Sequence, residues 1–125
     1  MKKKPLKVDH RIRVILSDEV DEFLSTLPLE AKKKIIFNVD KVAANEKDSE
    51  IFSKLGGTDD IWEFRTLYNR IKYRLLAFWD TEEETLIITT HGFIKKTQKT
   101  PLKEINHAES VKKQYFETKQ KNQKK

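Results

Sequence analysis

The chain has 125 residues, of which 37% are hydrophobic and 37% charged, and its formal net charge is +6. It has no cysteine, which excludes disulfides and thiolate metal sites, and its three scattered histidines show no helical i,i+4 pair that would favour zinc. A chain of this length forms one domain that buries roughly two thirds of its unfolded surface.

The positive charge is concentrated at the two ends of the chain. Residues 1–7 carry four lysines and no acid, residues 112–125 carry six lysines and one glutamate, and the body between them has a net charge of −3. Within that body, residues 65–103 hold eight basic side chains, and their only acids cluster at residues 80–84. Local clusters of this kind, rather than net charge, bind a polyanionic partner.

We predict a single domain over residues 1–125, with an ordered body at about 8–116 and basic tails at 1–7 and 117–125. The basic start of the chain is not followed by an apolar stretch of about 7–15 residues, as a secretory signal would require. The longest apolar runs are too short to span a bilayer. The sequence therefore predicts a soluble, cytoplasmic protein.

The N-terminal half predicts one strand and two helices. Residues 11–16 partly alternate and contain β-branched side chains, which favours a strand. Ser17 or Asp18 can cap the helix that follows, where apolar residues recur with helical spacing from Val20 to Leu27. Pro28 ends this helix and suits the start of a second one, so the pair is expected to form an antiparallel hairpin.

The C-terminal half predicts three strands and a helix. The strands are expected at residues 61–68, 71–79 and 85–93. They must pair antiparallel, because the turns that join them, Asn69-Arg70 and the acidic segment, are short. After Pro101 the apolar residues follow helical spacing to about Phe116.

The order β-α-α-β-β-β-α predicts an α+β domain, in which an antiparallel β-sheet carries an N-terminal helical hairpin and a C-terminal helix, packed mainly on one face. The other face would be free, and strand alternation places Glu63 and Arg65 on it. Whether Arg74 joins them depends on the register of the hairpin. Trp62 and Trp79 are expected to belong mainly to the core.

The segment from His91 to Pro101 lies where the last strand ends and carries three lysines, two threonines and a glutamine, with no acid. Loops beyond strand ends often carry function, and this charge suits a phosphate-bearing ligand. Three motifs together resemble the RelE/HigB superfamily, and more narrowly its phage-derived HigB-like branch: Trp62-Glu63-Phe64-Arg65, Tyr73-Arg74-Leu75-Leu76-Ala77-Phe78, and this segment. The likeness covers about residues 10–116.

The resemblance implies a RelE-like fold and the toxin of a bacterial type II toxin–antitoxin module. It implies a ribosome-dependent endoribonuclease (an mRNA interferase) that cuts translated mRNA without a metal or small-molecule cofactor. The expected partners are the ribosome, the mRNA and a cognate antitoxin protein, with no membrane involved.

Carried over residue by residue, the family's basic catalytic positions fall on Arg65, Arg74 and the pair Lys95-Lys96. The planar arginines suit the charge that develops at phosphorus, and a lysine can hold phosphate or move a proton if neighbouring cations lower its pKa. Glu63 is a candidate for proton transfer, or else an ion-pair partner of Arg65. It occupies a position that is basic in some members, so the family's chemistry cannot be copied whole.

His91 is a second candidate for proton transfer, or else a structural residue whose ring bonds the backbone. Phe93 is expected either to stack a base or to join the core. Lys99, Arg70 and Lys72 are candidates for RNA binding. The C-terminal tyrosine of some family members has no clear counterpart in this chain.

Two other classes of function remain open. One is a nuclease-inactive toxin or binding module of the same fold, such as a ParE-like toxin that acts on gyrase. The other is an RNA- or DNA-binding accessory protein that uses the basic tails. The basic residues Arg65, Arg74, Lys95 and Lys96 together favour RNA cleavage over the ParE-like alternative.

Overall fold

The computed structural model describes residues 11–83 and 85–123, so the predicted tail at 1–7 lies outside the described residues. The elements are β1 (Arg13–Ile15), α1 (Asp18–Ser25), α2 (Leu29–Ala43), β2 (Phe52–Lys54), β3 (Trp62–Tyr68), β4 (Ile71–Trp79), β5 (Leu86–Lys95) and α3 (Leu102–Gln123). The predicted α+β class is confirmed. Within the described ranges, no helix is long and apolar enough to cross a membrane.

The five strands form one sheet in the order β1-β5-β4-β3-β2. The predicted meander of β3, β4 and β5 is confirmed, but the sheet is mixed, because β1 pairs parallel to β5. The prediction also missed β2, whose three residues pair with residues 62–64 of β3. A strand as short as β2 has no periodicity to detect, and the parallel pairing of β1 with β5 joins segments that are more than 70 residues apart in sequence.

A two-residue turn fixes the register between β3 and β4. Asn69 and Arg70 have φ angles of 53° and 68°, the positive values that type I′ hairpin turns require at both central positions. The ladder therefore starts at Tyr68 opposite Ile71, and Arg65 lies directly opposite Arg74. Glu63, Arg65 and Arg74 thus share one face of the sheet.

Helices cover both faces of the sheet, which corrects the prediction of one covered face. Helices α1 and α2 pack on one face in a core that includes Phe64 and Leu75, whereas α3 packs on the other against Leu76 and Phe78. The reason lies in β4, where residues 75–78 are all apolar and at most 1% exposed. A strand that is apolar on both sides must be covered on both sides.

Helix α3 runs to Gln123, seven residues beyond the predicted end at Phe116. Asp80 is fully buried at the end of β4. Its Oδ2 accepts hydrogen bonds from the Tyr115 hydroxyl (2.6 Å) and from Lys119 Nζ. These contacts anchor a stretch of helix that has little apolar periodicity of its own.

The buried Asp80 carboxyl should make stability depend on pH in the acid range. Burial raises its pKa, but hydrogen bonds from Lys119, Tyr115 and the backbone of Glu82 and Glu83 outweigh burial and lower the pKa from 3.8 to about 2. A pKa lowered by folding contributes stability, on the order of 2 kcal/mol here, that is present above about pH 4 and lost as the pH falls through about 2. At pH 5, the free energy of unfolding measured in urea should be higher for wild type than for Asp80→Asn by that amount. If the same difference in free energy of unfolding were measured at pH 2, the lowered pKa of Asp80 would not be its cause.

Candidate active site

A β-bulge in β5 determines which side chains reach the face covered by α3. Ala77 pairs with Thr89 but Leu76 pairs with His91, so Thr90 is the extra residue. Before the bulge Ile87 faces α1 and α2; after it, Phe93 faces α3. Because one inserted residue exchanges the two faces, the bulge places His91, Phe93 and Lys95 on the same face as Arg74.

Four cationic side chains form a cluster on this face of the sheet. Arg65 lies opposite Arg74, and Lys72 lies opposite Lys95. The structure thus brings together the two predicted catalytic arginines and the first predicted catalytic lysine. Strand pairing, not sequence proximity, produces this cluster.

Glu63 lies beneath the arginines with a fully buried side chain. Its Oε1 accepts a hydrogen bond from Arg65 Nε at 2.9 Å and lies 3.7 Å from Arg74 Nε. Its Oε2 accepts a hydrogen bond from the Thr100 hydroxyl at 2.7 Å. Of its two sequence interpretations, the ion pair with Arg65 is therefore the one formed.

Thr100 is a further member of this site that was not predicted from the sequence. Thr100 precedes Pro101, whose carbonyl accepts the first backbone hydrogen bonds of α3. A threonine just before a proline at a helix start is a signal of capping, but here the hydroxyl binds the carboxylate of Glu63 instead. Thr100 thus ties the start of α3 to the arginine cluster.

Arg74 has one donor, its Nε, that makes no hydrogen bond to any of the described residues. Its side chain is 10% exposed and its Nη1 donates to the carbonyl of Tyr73 at 3.1 Å. Its Nε is the one buried side-chain nitrogen or oxygen without a hydrogen-bond partner among the described residues. Burial lowers the pKa of Arg74, the charge of Glu63 opposes that change, and Arg65 adds to it. This Nε has almost no accessible surface and lies 3.7 Å from Glu63 Oε1, so the carboxylate compensates its charge without accepting a hydrogen bond from it.

Lys95 is half-buried and Lys96 is exposed. Burial lowers the pKa of Lys95, Glu63 opposes the change, and the cations Arg74, Arg65 and Lys72 lower it further. A lysine with a lowered pKa exchanges a proton more readily near neutral pH. Lys96 instead lines an open groove of about 450 Å³ together with Arg70, Lys72 and Lys95.

His91 and Phe93 are held in the packing between β5 and α3. His91 Nε2 lies 2.9 Å from Glu104 Oε1 on α3, and Nδ1 lies 2.9 Å from the hydroxyl of Thr90. Burial lowers the pKa of His91, and the hydrogen bond to Glu104 opposes this. Phe93 is only 9% exposed and stacks on the His91 ring. Both side chains are therefore held by packing, but the His91 ring bonds the side chains of Glu104 and Thr90 and not the backbone as expected.

Of the predicted RNA-binding residues, Lys72 belongs to the cluster itself and Arg70 lines the groove beside it. Arg70, Lys72 and Lys99 are exposed, as candidates for RNA binding should be. Tyr115 binds Asp80 and so belongs to the anchor of α3. In the described part of the chain, no three histidine, aspartate or glutamate side chains converge in a way that could hold a metal ion.

Comparisons with known proteins agree with this architecture. The model of a family described as phage-derived Gp49-like proteins (DUF891) matches residues 22–113. The structure of the E. coli toxin RelE in the free state, a mutant with two arginines replaced by alanine, is similar with a TM-score of 0.55 and 14% identity, over 82% of this chain and 97% of that one.

A second solved structure, the toxin–antitoxin complex RelBE2 from Mycobacterium tuberculosis, is similar with a TM-score of 0.52 and 16% identity, over 68% of this chain and 99% of that one. At these identities the structural similarity establishes the fold alone, and it confirms the predicted RelE-like fold. No curated protein matches the sequence of this chain.

Proposed function

Because this chain belongs to the Gp49-like family of phage-derived proteins, we propose that it is the toxin of a type II toxin–antitoxin module and a ribosome-dependent mRNA endoribonuclease. The RelE-like fold supports the role of a toxin. The cations on the face around Arg65 and Arg74 support a nucleic acid substrate.

The single observation that carries the proposal is the placement of Arg65 directly opposite Arg74 on one face of the sheet. Two guanidinium groups that lie opposite each other on one face of the sheet present several charged donors to an anion with two oxygens, and a phosphate group has that geometry. Glu63 keeps the two arginines in place, because one of its oxygens contacts both. The site thus has charged donors fixed before the substrate arrives.

The proposed reaction is attack of a ribose 2′-oxygen on the adjacent phosphorus. The bond from phosphorus to the 5′-oxygen breaks, which leaves a 2′,3′-cyclic phosphate and a 5′-hydroxyl. Arg65 and Arg74 stabilise the charge on the non-bridging oxygens, and one such donor contributes on the order of 3 kcal/mol. The 2′-hydroxyl must lose a proton and the 5′-oxygen must gain one. Lys95 suits such an exchange because its pKa is lowered, while Lys96 holds phosphate.

The proposed partners follow from this reaction. The ribosome presents the mRNA in the cytoplasm, no small-molecule cofactor takes part, and a cognate antitoxin keeps the site inactive. The fold shared with the toxin–antitoxin complex RelBE2 supports the antitoxin. The exposed cations of the site would attract an acidic segment of such a partner.

Induction of the chain in bacteria should arrest growth and generate new mRNA 5′ ends with codon phasing inside translated reading frames. Mapping of 5′ ends before and after induction checks this result. Arrest accompanied by gyrase-dependent DNA breaks, with no new mRNA ends, would contradict the proposal and favour the ParE-like alternative. Growth arrest that survives Arg74→Ala but not deletion of residues 1–7 and 117–125 would favour the accessory RNA- or DNA-binding protein.

A further inference from the structure

A groove of about 530 Å³ runs from the arginine cluster over the edge of the sheet to α2. It exists because β2 begins at Phe52, opposite Phe64, so that no strand among the described residues covers the edge of β3 beyond Arg65. Arg65 and Arg74 line one end, and Lys34, Phe37 and Lys41 of α2 line the other. The groove is therefore continuous with the candidate active site.

The groove is strongly basic and carries an exposed aromatic ring. Its lining has five cations, the four named above and Lys72, against one acid, Glu50. Phe37 is 60% exposed, although it lies in the middle of a helix that packs on the sheet. Lys34 and Lys41 are three residues before and four residues after Phe37, so all three lie along one stripe of α2. Lys41 Nζ lies 5.8 Å from the centre of the Phe37 ring.

The walls of the groove are fixed to each other. Asn38, which follows Phe37, donates from Nδ2 to the Thr66 hydroxyl at 2.9 Å and to the Arg65 carbonyl at 3.3 Å. These bonds hold α2 against β3 while Phe37 points to solvent. The aromatic ring is therefore presented at a defined position next to the arginine cluster.

We propose that this groove binds the single-stranded RNA that continues from the cleavage site, with Lys34 and Lys41 on phosphates and a base stacked on Phe37. The inference rests on the proposed function, because Arg65 and Arg74 belong to both surfaces. Single-stranded nucleic acid is bound in general by a basic groove combined with aromatic side chains, and this groove has both parts. An exposed ring flanked by two cations suits a base between phosphates better than it suits an acidic peptide.

The test measures binding of a fluorescent 12-nucleotide RNA whose 2′-hydroxyls are methylated, so that it cannot be cut. Phe37→Ala should weaken binding at least about fivefold, since a stacked base contributes that much, and should leave the salt dependence unchanged. The double variant Lys34→Ala/Lys41→Ala should lower the slope of log K against log salt by about 1.4, because each lysine bound to single-stranded RNA contributes about 0.7.

Matched controls lie on the same helix outside the groove. Lys32→Ala/Lys33→Ala removes two exposed lysines, and Leu29→Ala removes an exposed apolar side chain that is 62% accessible. Both variants should bind the RNA with the affinity of wild type. A general loss of fold or of surface charge would instead change these controls as well.

The outcomes separate this inference from the proposed function. If the groove variants bind RNA like wild type while the wild-type chain cuts mRNA in cells, the groove assignment is wrong and the nuclease proposal stands. If RNA binding depends on the groove residues but no mRNA is cut, the groove assignment is supported and the nuclease proposal fails. If RNA does not bind, whereas a peptide of glutamate and leucine binds in a Phe37-dependent manner, the groove is a protein site and the inference is overturned.

Discussion

Replacement of Arg74 by alanine is expected to slow mRNA cleavage by about 10²- to 10³-fold, the usual loss when one fixed donor to a developing oxyanion is removed. Arg74 is placed for this role by its position opposite Arg65, with Glu63 holding both side chains. Cleavage of a programmed ribosome complex under single-turnover conditions measures the loss. The control is Arg13→Ala, which removes an exposed arginine that pairs with Glu83 on another part of the sheet.

The fold should survive this substitution. Glu63 retains its hydrogen bonds from Arg65 and Thr100 when Arg74 is absent, so no buried charge is left without a partner. Arg74→Lys should recover only part of the rate, because a lysine keeps the charge but lacks the planar arrangement of donors. If Arg74→Ala cuts mRNA as fast as Arg13→Ala does, the site assignment is wrong, although the family membership stands.

Much of the fold follows from local signals in the sequence. Ser17 caps α1 as predicted, with its hydroxyl accepting from the backbone of Val20, and Pro28 precedes α2. The Asn69-Arg70 turn also determines the register between β3 and β4, which was left open in the prediction. A two-residue turn of this type already sets Arg65 opposite Arg74, because strand pairing continues outward from the turn.

The coverage of both faces was also indicated in the sequence. Residues 75–79 form an uninterrupted apolar run, which is typical of a strand buried on both sides. The length of α3 was not indicated in this way. Its last two turns are polar, and they are anchored by the contact of Lys119 with Asp80, a pairing of residues that are distant in sequence.

The positions of the two arginines in the candidate site could be predicted from the sequence, but the contacts that surround them could not. Arg65 and Arg74 follow from strand alternation and the turn. Lys95 reaches the same face only because Thr90 is an extra residue in β5, and nothing in the local sequence specifies that bulge. The bond from Thr100 to Glu63 likewise depends on where α3 starts in three dimensions. These contacts arise from tertiary packing, which the periodicity of apolar residues along the sequence does not predict.

Replacement of Glu63 by alanine should lower both stability and cleavage. The change removes the buried carboxylate beneath two guanidinium groups that lie directly opposite each other, and it leaves the Thr100 hydroxyl without its acceptor. We expect the free energy of unfolding to fall by about 3 kcal/mol, at the lower end of the range for breaking a buried ion pair, because Arg65 is partly exposed and can turn to solvent. Urea unfolding measures this loss.

Glu63→Gln separates positioning of the arginines from proton transfer by Glu63. The amide keeps the shape but not the charge, so if Glu63 positions Arg65 and Arg74, stability and cleavage should fall together and the pH–rate profile should keep the shape of wild type. Thr100→Val, which removes only the hydroxyl bound to Glu63, should show a smaller loss of the same kind, about 1 kcal/mol in unfolding. A Glu63→Gln protein that is as stable as wild type, cuts mRNA far more slowly and lacks the acid limb of the profile would instead identify Glu63 as the general base. The geometry favours positioning, because one oxygen of Glu63 already binds Arg65 and the other binds Thr100.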